Sequence, residues 1–160
     1  MRILGIDPGY DRVGWAVVEC DARKNCRVLA YNCIQTDNKS TTWQRYSQII
    51  DSLRAVITDH NPTSAAIESI FFSNNQKTAI KVSEARGVII ATLLPHISEV
   101  SEYTPNQIKL AVTGYGNSDK AAVEKMIRLQ LKLTSSKVID DTIDAIATAF
   151  THALMQGSQS

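Results

Sequence analysis

The 160 residues predict an α/β protein built on one mixed five-stranded sheet, with three antiparallel strands followed by two parallel ones and helices flanking the sheet. Three observations carry this. The chain opens with three strand-like runs separated by short polar turns, the pattern of an antiparallel meander. Two more short apolar runs follow, each after a long helical pattern, and strand–helix–strand succession implies parallel pairing through a crossover. The last third shows helical periodicity alone, which supplies the layers needed to cover a sheet.

Met1 to Ile6 is rich in Ile and Leu and reads as a buried strand, broken by Asp7-Pro8-Gly9. Gly14 to Val18 is the second strand, Asp21 to Asn25 a polar turn, and Arg27 to Gln35 the third strand. Asp37 to Thr42 is a polar loop whose end, Thr41 or Thr42, suits a helix cap. Apolar residues at Tyr46, Ile49, Ile50, Leu53, Val56 and Ile57 mark an amphipathic helix from Trp43 to His60, stopped by Asn61-Pro62. Ser64 to Glu68 is a short buried strand. The loop Ser69 to Gln76 carries two adjacent aromatics, Phe71 and Phe72, which cannot both enter one core.

Thr78 to Leu94 is a helix with apolar residues over much of its circumference, so two of its sides expect cover, one from the sheet and one from elsewhere. Pro95 ends it, and Ser98 to Tyr103 is the fifth strand. Thr104-Pro105 is a cap with proline at the first helical position, opening a short helix to Thr113. After the connector Gly114 to Asn117, Ser118 caps a helix running to about Leu133. A linker over Lys132 to Lys137 leads to a last helix from Asp140, read as its cap, to Gln156. Residues 1–156 form a single domain on this reading and 157–160 a frayed polar tail.

A hydrophobic fraction of 44% and a charged fraction of 21% exclude a disordered chain. No stretch approaches the roughly 18 apolar residues of a membrane span, and the N-terminus runs straight into a strand, which points to the cytoplasm. Cys20, Cys26 and Cys33 form no Cys-x-x-Cys pair. Cys20 and Cys26 are placed to face each other across a hairpin, but reduced, packing cysteines are the expectation. Net charge is +1, so any polyanion must be met by local basic groups, of which Lys77, Lys81 and Arg86 form one and Lys109, Lys120, Lys125 and Arg128 another.

Chemistry concentrates in four acids. Asp7 ends the first apolar strand and Glu68 the fourth, where an uncoordinated acid is costly. Asp141 and Asp144 lie about 60° apart on one helix face. Brought together in a cleft, these carboxylates repel one another and lose solvent, a conflict that hard divalent cations such as Mg²⁺ or Mn²⁺ resolve. The pattern therefore predicts a carboxylate-bound metal site that hydrolyses a phosphate ester. Asp140, beside Asp141, is read as a cap rather than a ligand.

Gly5-Ile6-Asp7-Pro8-Gly9 followed by Gly14 resembles the opening of the ribonuclease-H-like superfamily. Ile67-Glu68-Ser69-Ile70-Phe71, Glu84-Ala85-Arg86-Gly87 and Asp141-Thr142-Ile143-Asp144-Ala145 extend the likeness. Together these blocks resemble the bacterial Holliday-junction resolvases of the RuvC family, the crossover junction endodeoxyribonucleases. The resemblance implies a ribonuclease-H-like fold and a homodimer, joined through the helix Thr78 to Leu94, that makes paired symmetric nicks in a four-way DNA junction during recombination and repair. It implies Asp7, Glu68, Asp141 and Asp144 as metal ligands, Phe71 as a ring that stacks on DNA bases, and Lys109 and Lys120 near the scissile phosphate. Lys77 and Arg86 join them as candidate DNA contacts, and a branch-migration helicase complex is the implied partner.

The corresponding mechanism uses two Mg²⁺ per site, with Mn²⁺ as substitute, and leaves 5′-phosphate and 3′-hydroxyl ends. Lys120 would stabilise the pentacovalent phosphate and Lys109 position the backbone. Three other readings stay open: a related nuclease acting on structured RNA, a junction-binding dimer without catalysis, and an ATPase.

Overall fold

The first strand, β1 (Arg2–Asp7), lies at the centre of a five-stranded sheet ordered β3-β2-β1-β4-β5 in this computed structural model. Residues 1–70, 76–134 and 139–156 are described, without the side chains of 76–78. β2 (Arg12–Cys20) and β3 (Cys26–Gln35) complete an antiparallel meander with β1. β4 (Ser64–Glu68) and β5 (Glu99–Tyr103) add in parallel on the other side of β1. The helices are α1 (Thr42–His60), α2 (Gln76–Leu93), α3 (Pro105–Thr113), α4 (Lys120–Gln130) and α5 (Asp140–Met155). The predicted mixed sheet and element order are those observed. None of the described helices is long and apolar enough to cross a membrane.

Strand alternation divides the core in two. Leu4, Ile6 and Ile67 point to one face and pack under α1 and α2, against Ile49, Leu53, Ile89 and Leu93. Ile3, Ala16 and Ala66 point to the other and meet α5 with Ile108 of α3 and Ile127 of α4. α2 buries Ala85, Ile89 and Leu93 but leaves Ile80 exposed, as is Leu94 just past its end, so its second apolar side stays open among the described residues.

Capping chemistry sets the helix starts. Thr41 and Gln44 form a capping box at α1, and Thr104 and Gln107 form one at α3 with Pro105 in its first turn. Two expectations are corrected. Asp119, not Ser118, caps α4 by accepting from the Ala122 N–H, while the Ser118 hydroxyl donates to the Tyr115 carbonyl. Ile139, not Asp140, is the N-cap of α5 and makes no side-chain cap bond; Asp140 and Asp141 occupy the first turn, where the positive end of the helix dipole favours them. The cysteine expectation is also overturned: Cys20 and Cys26 are directly paired across β2 and β3 and joined by a disulfide, at the end of the hairpin where the N-terminal ammonium donates to the Cys20 carbonyl.

What places α5 is a pair of glycines. A Cβ on Gly5 would collide with the Ala145 carbonyl and come within 2.8 Å of the Ala149 Cβ. A Cβ on Gly14 would collide with the Asp141 carbonyl. Small residues on both sides let the helix backbone lie directly on β1 and β2, with its first turn over Gly14. Gly5→Ala and Gly14→Ala should each force α5 off the sheet, at about 3 kcal/mol or more, and lower the melting midpoint by roughly 6–12 °C. Gly116→Ala, whose added Cβ would sit 3.5 Å from its nearest neighbour, should leave the midpoint unchanged in the same calorimetric series.

Candidate active site

Asp7, Glu68 and α5 meet at one end of the sheet. Asp7 is the last residue of β1 and pairs with Gly14, so its side chain falls on the α5 face beside Asp141. Glu68 ends β4 on the same face, since it is two residues beyond Ala66 of the α5-side core. The two strand-end acids behave as a buried, crowded pair. Burial, then the charges of Glu68, Asp144 and Asp141, push the Asp7 carboxyl up to about 8 against the pull of Lys120. Burial and Asp144 push Glu68 up to about 7, opposed by Lys120 and Lys109.

The two helix acids are instead neutralised from the flanks. The Lys120 ammonium donates to Asp144 Oδ2 at 2.9 Å, which raises its own pKa. Arg12 Nη1 lies 3.6 Å from Asp141 Oδ2. The Cys33 thiol donates to the same oxygen at 3.7 Å, and burial together with Asp141 pushes that thiol up to about 11. Glu68, Asp144, Lys109 and Lys120 line a cavity of 260 Å³, with Pro105, Ile108 and Val123 as its apolar side. Lys109 and Lys120 thus reach the acids from α3 and α4.

The donor set fits a hard divalent cation. Two partly buried carboxylates, pushed up first by burial and then by neighbouring acids, are the groups whose ionised form such a cation would favour. Among the described residues, no three acidic, histidine or cysteine side chains close tightly enough around one point to enclose an ion as they stand. Asp144 and Asp141 are turned to Lys120 and Arg12.

Asp7, Glu68, Asp141, Asp144, Lys109 and Lys120 are therefore brought together. Arg86 is not part of the group. It pairs with Glu102, which is aligned with the inward Ile67 of the opposite sheet face. Phe71 and the Lys77 side chain lie outside the described residues, as does Phe72. Sequence reasoning missed Arg12 and Cys33. Arg12 had a usable signal, two residues before Gly14 and so on the same face; Cys33 had none, because its place depends on the β2–β3 register.

Comparison with known proteins gives the same outline. A family model described as "Crossover junction endodeoxyribonuclease RuvC" matches residues 3–152. A protein of that description from Caldicellulosiruptor saccharolyticus is 39% identical over 158 residues, covering 99% of this chain and 95% of its own. One from Brachyspira hyodysenteriae is 45% identical over 156 residues, covering 96% and 94%. Among solved structures, Thermus thermophilus RuvC in complex with Holliday junction substrate superposes with a TM-score of 0.91 at 29% identity, over 98% of this chain and 94% of that one. A match running from β1 into the last turn of α5 takes in every acid of the cluster, and the chain belongs to the RuvC family of crossover junction endodeoxyribonucleases.

Proposed function

We propose that this protein resolves four-way DNA junctions by paired symmetric nicks, using divalent cations held by Asp7, Glu68, Asp141 and Asp144. The observation that carries the reading is the convergence of Asp7 and Glu68, each with a raised pKa, on two helix acids flanked by lysines. The solved relative bound to Holliday junction substrate supports the choice of DNA junction over structured RNA.

Bound divalent cations, two Mg²⁺ or Mn²⁺ in this reading, would polarise the phosphate and acidify a water at neutral pH. The chain's own residues do the rest. Asp7, Glu68, Asp141 and Asp144 would hold the cations, with Asp7 and Glu68 presented by the strands and the other two by α5. Lys120, released from Asp144, supplies positive charge to the crowded phosphate. Lys109 holds the backbone. Phe71 as a stacking ring and Lys77 as a phosphate contact rest on the family resemblance. So does the helicase partner. Arg86, paired with Glu102 on the other sheet face, suits a role in tying α2 to β5 better than a DNA contact.

Two sites for two nicks require two copies. Ile80, Glu84, Gly87, Ala91 and Leu94 recur at helical spacing along the exposed side of α2, and a Cβ on Gly87 would meet nothing within 4 Å. That stripe suits a two-fold partner, whose symmetry matches the approximate symmetry of a four-way junction. Action on chromosomal DNA places the protein in the cytoplasm.

The direct test is a gel assay on a mobile four-way junction, with and without Mg²⁺. Metal-dependent, symmetric nicks are expected; binding without cutting across Mg²⁺ and Mn²⁺ titrations would favour the non-catalytic reading. Asp7→Asn should lower cleavage by about 10³-fold or more while junction binding persists, and a variant that still cuts removes Asp7 from the chemistry. Stability should report the same site. Both acids have folded-state pKa values raised above 3.8 and 4.5, so the folded protein binds more protons than the unfolded chain. Their contribution to stability without bound cation is therefore fully present below about 4 and is lost as pH rises towards 8. In EDTA at pH 8, Asp7→Asn should melt several degrees above the parent, and Mg²⁺ should stabilise the parent more than the variant. Finally, Leu94→Glu should convert a dimer to monomer in sedimentation equilibrium without lowering the melting midpoint of the subunit; a parent that sediments as a monomer would remove α2 as an interface.

A further inference from the structure

The acids occupy the middle of the sheet end, and the lysine-lined cavity lies to their β4–β5 side. On the β2–β3 side the same end carries Arg12, which is paired with Gln35. Arg12 is two residues from Gly14 and so projects from the α5 face, towards Asp141. Arg12 also lines a groove of 610 Å³ whose other walls are Asp11, Gln35 to Asn38 and Gln48 of α1, so the groove leads from the acids' end of the sheet towards the α1 side. Arg12 joins that lining to the acid cluster through its ion pair with Asp141.

We propose that this groove carries the DNA strand on the side of the scissile phosphate away from Lys109 and Lys120, with Arg12 as its phosphate-binding residue. The inference rests on the junction-nuclease reading above. A strand whose phosphate lies at the acids must leave the site in two directions. One is covered by Lys109 and Lys120, and the other runs over Arg12. The Arg12 side chain is 57% exposed. Its ion pair with Asp141 is long, and it makes no hydrogen bond among the described residues, so the guanidinium keeps its donors for a bidentate phosphate contact.

The groove's two acids do not defeat this. Asp11 is paired with Arg45, a buried arginine that also donates to Thr36 Oγ1 at 2.8 Å. Asp37 accepts from the Lys39 N–H at 2.9 Å and lies 3.3 Å from the Ser40 hydroxyl. Its charge is absorbed in its own turn. Gln35 and Asn38 are exposed and bring amide donors and acceptors to sugar and phosphate oxygens.

The test is fluorescence anisotropy in EDTA, where binding is read without cleavage, on a labelled four-way junction and a linear duplex, from about 50 to 200 mM salt. Arg12→Ala should weaken binding roughly threefold to tenfold and reduce the slope of log K against log salt by about one, while Arg12→Lys keeps the slope. Arg27→Ala removes an exposed arginine at the far end of the hairpin and should change neither. Parent-like affinity and slope for Arg12→Ala, even with slowed cutting, would leave Arg12 as no more than a support for Asp141 and overturn the proposal. An equal loss for Arg27→Ala would reduce the effect to net charge and overturn it too. The slope change on linear duplex, with no junction preference or cutting by the parent, would support the groove and overturn only the junction reading.

Discussion

Like charges forced together at the end of a sheet are the constraint around which this structure is arranged. Asp7 and Glu68 arrive on strands whose residues before them, Arg2 apart, are buried, and α5 adds two more acids above them. In water such a group would disperse. Here β1 and β4 fix two members, and Gly5 and Gly14 press α5 onto the sheet so that the other two cannot retreat. The apolar interior on both faces holds this arrangement against its own repulsion, and burial first, then the neighbouring acids, raises the pKa values of Asp7 and Glu68.

The near-neutral net charge of the chain is consistent with a polyanionic substrate once its distribution is considered. Asp144 and Asp141 each already hold a cationic side chain, Lys120 and Arg12, one on either flank. Those cations are held beside the acids rather than scattered over the surface. On the proposed reading, a metal taking their place at the carboxylates would leave both cations free for the phosphate backbone, so local charge rather than a uniformly basic surface would serve DNA.

Much of this was legible in the sequence, for identifiable reasons. Asp7 and Glu68 stand out because they end apolar runs, and the Ser64–Glu68 strand and Pro105–Thr113 helix fall on their predicted bounds since proline and turn residues flank them. Asp141 and Asp144 are legible through helical spacing. What could not be read depends on register and tertiary contact. The Cys20–Cys26 bridge requires knowing that the two residues are paired across β2 and β3. The contact of Cys33 with Asp141 requires the fit of Gly14 beneath α5. Asp140 was misread because a lone acid before a helical pattern looks like a cap, whereas the backbone starts the helix one residue earlier.

The two faces of the sheet separate two demands that would otherwise compete. All four acids, both lysines and Arg12 gather on the α5 side, at the end of the strands. The uncovered stripe of α2 lies over the opposite face, packed inward through Ala85, Ile89 and Leu93. On the proposed reading, association through α2 would use the sheet face opposite the acid cluster. The Arg86–Glu102 pair joins α2 to β5, the strand next to β4 and its Glu68.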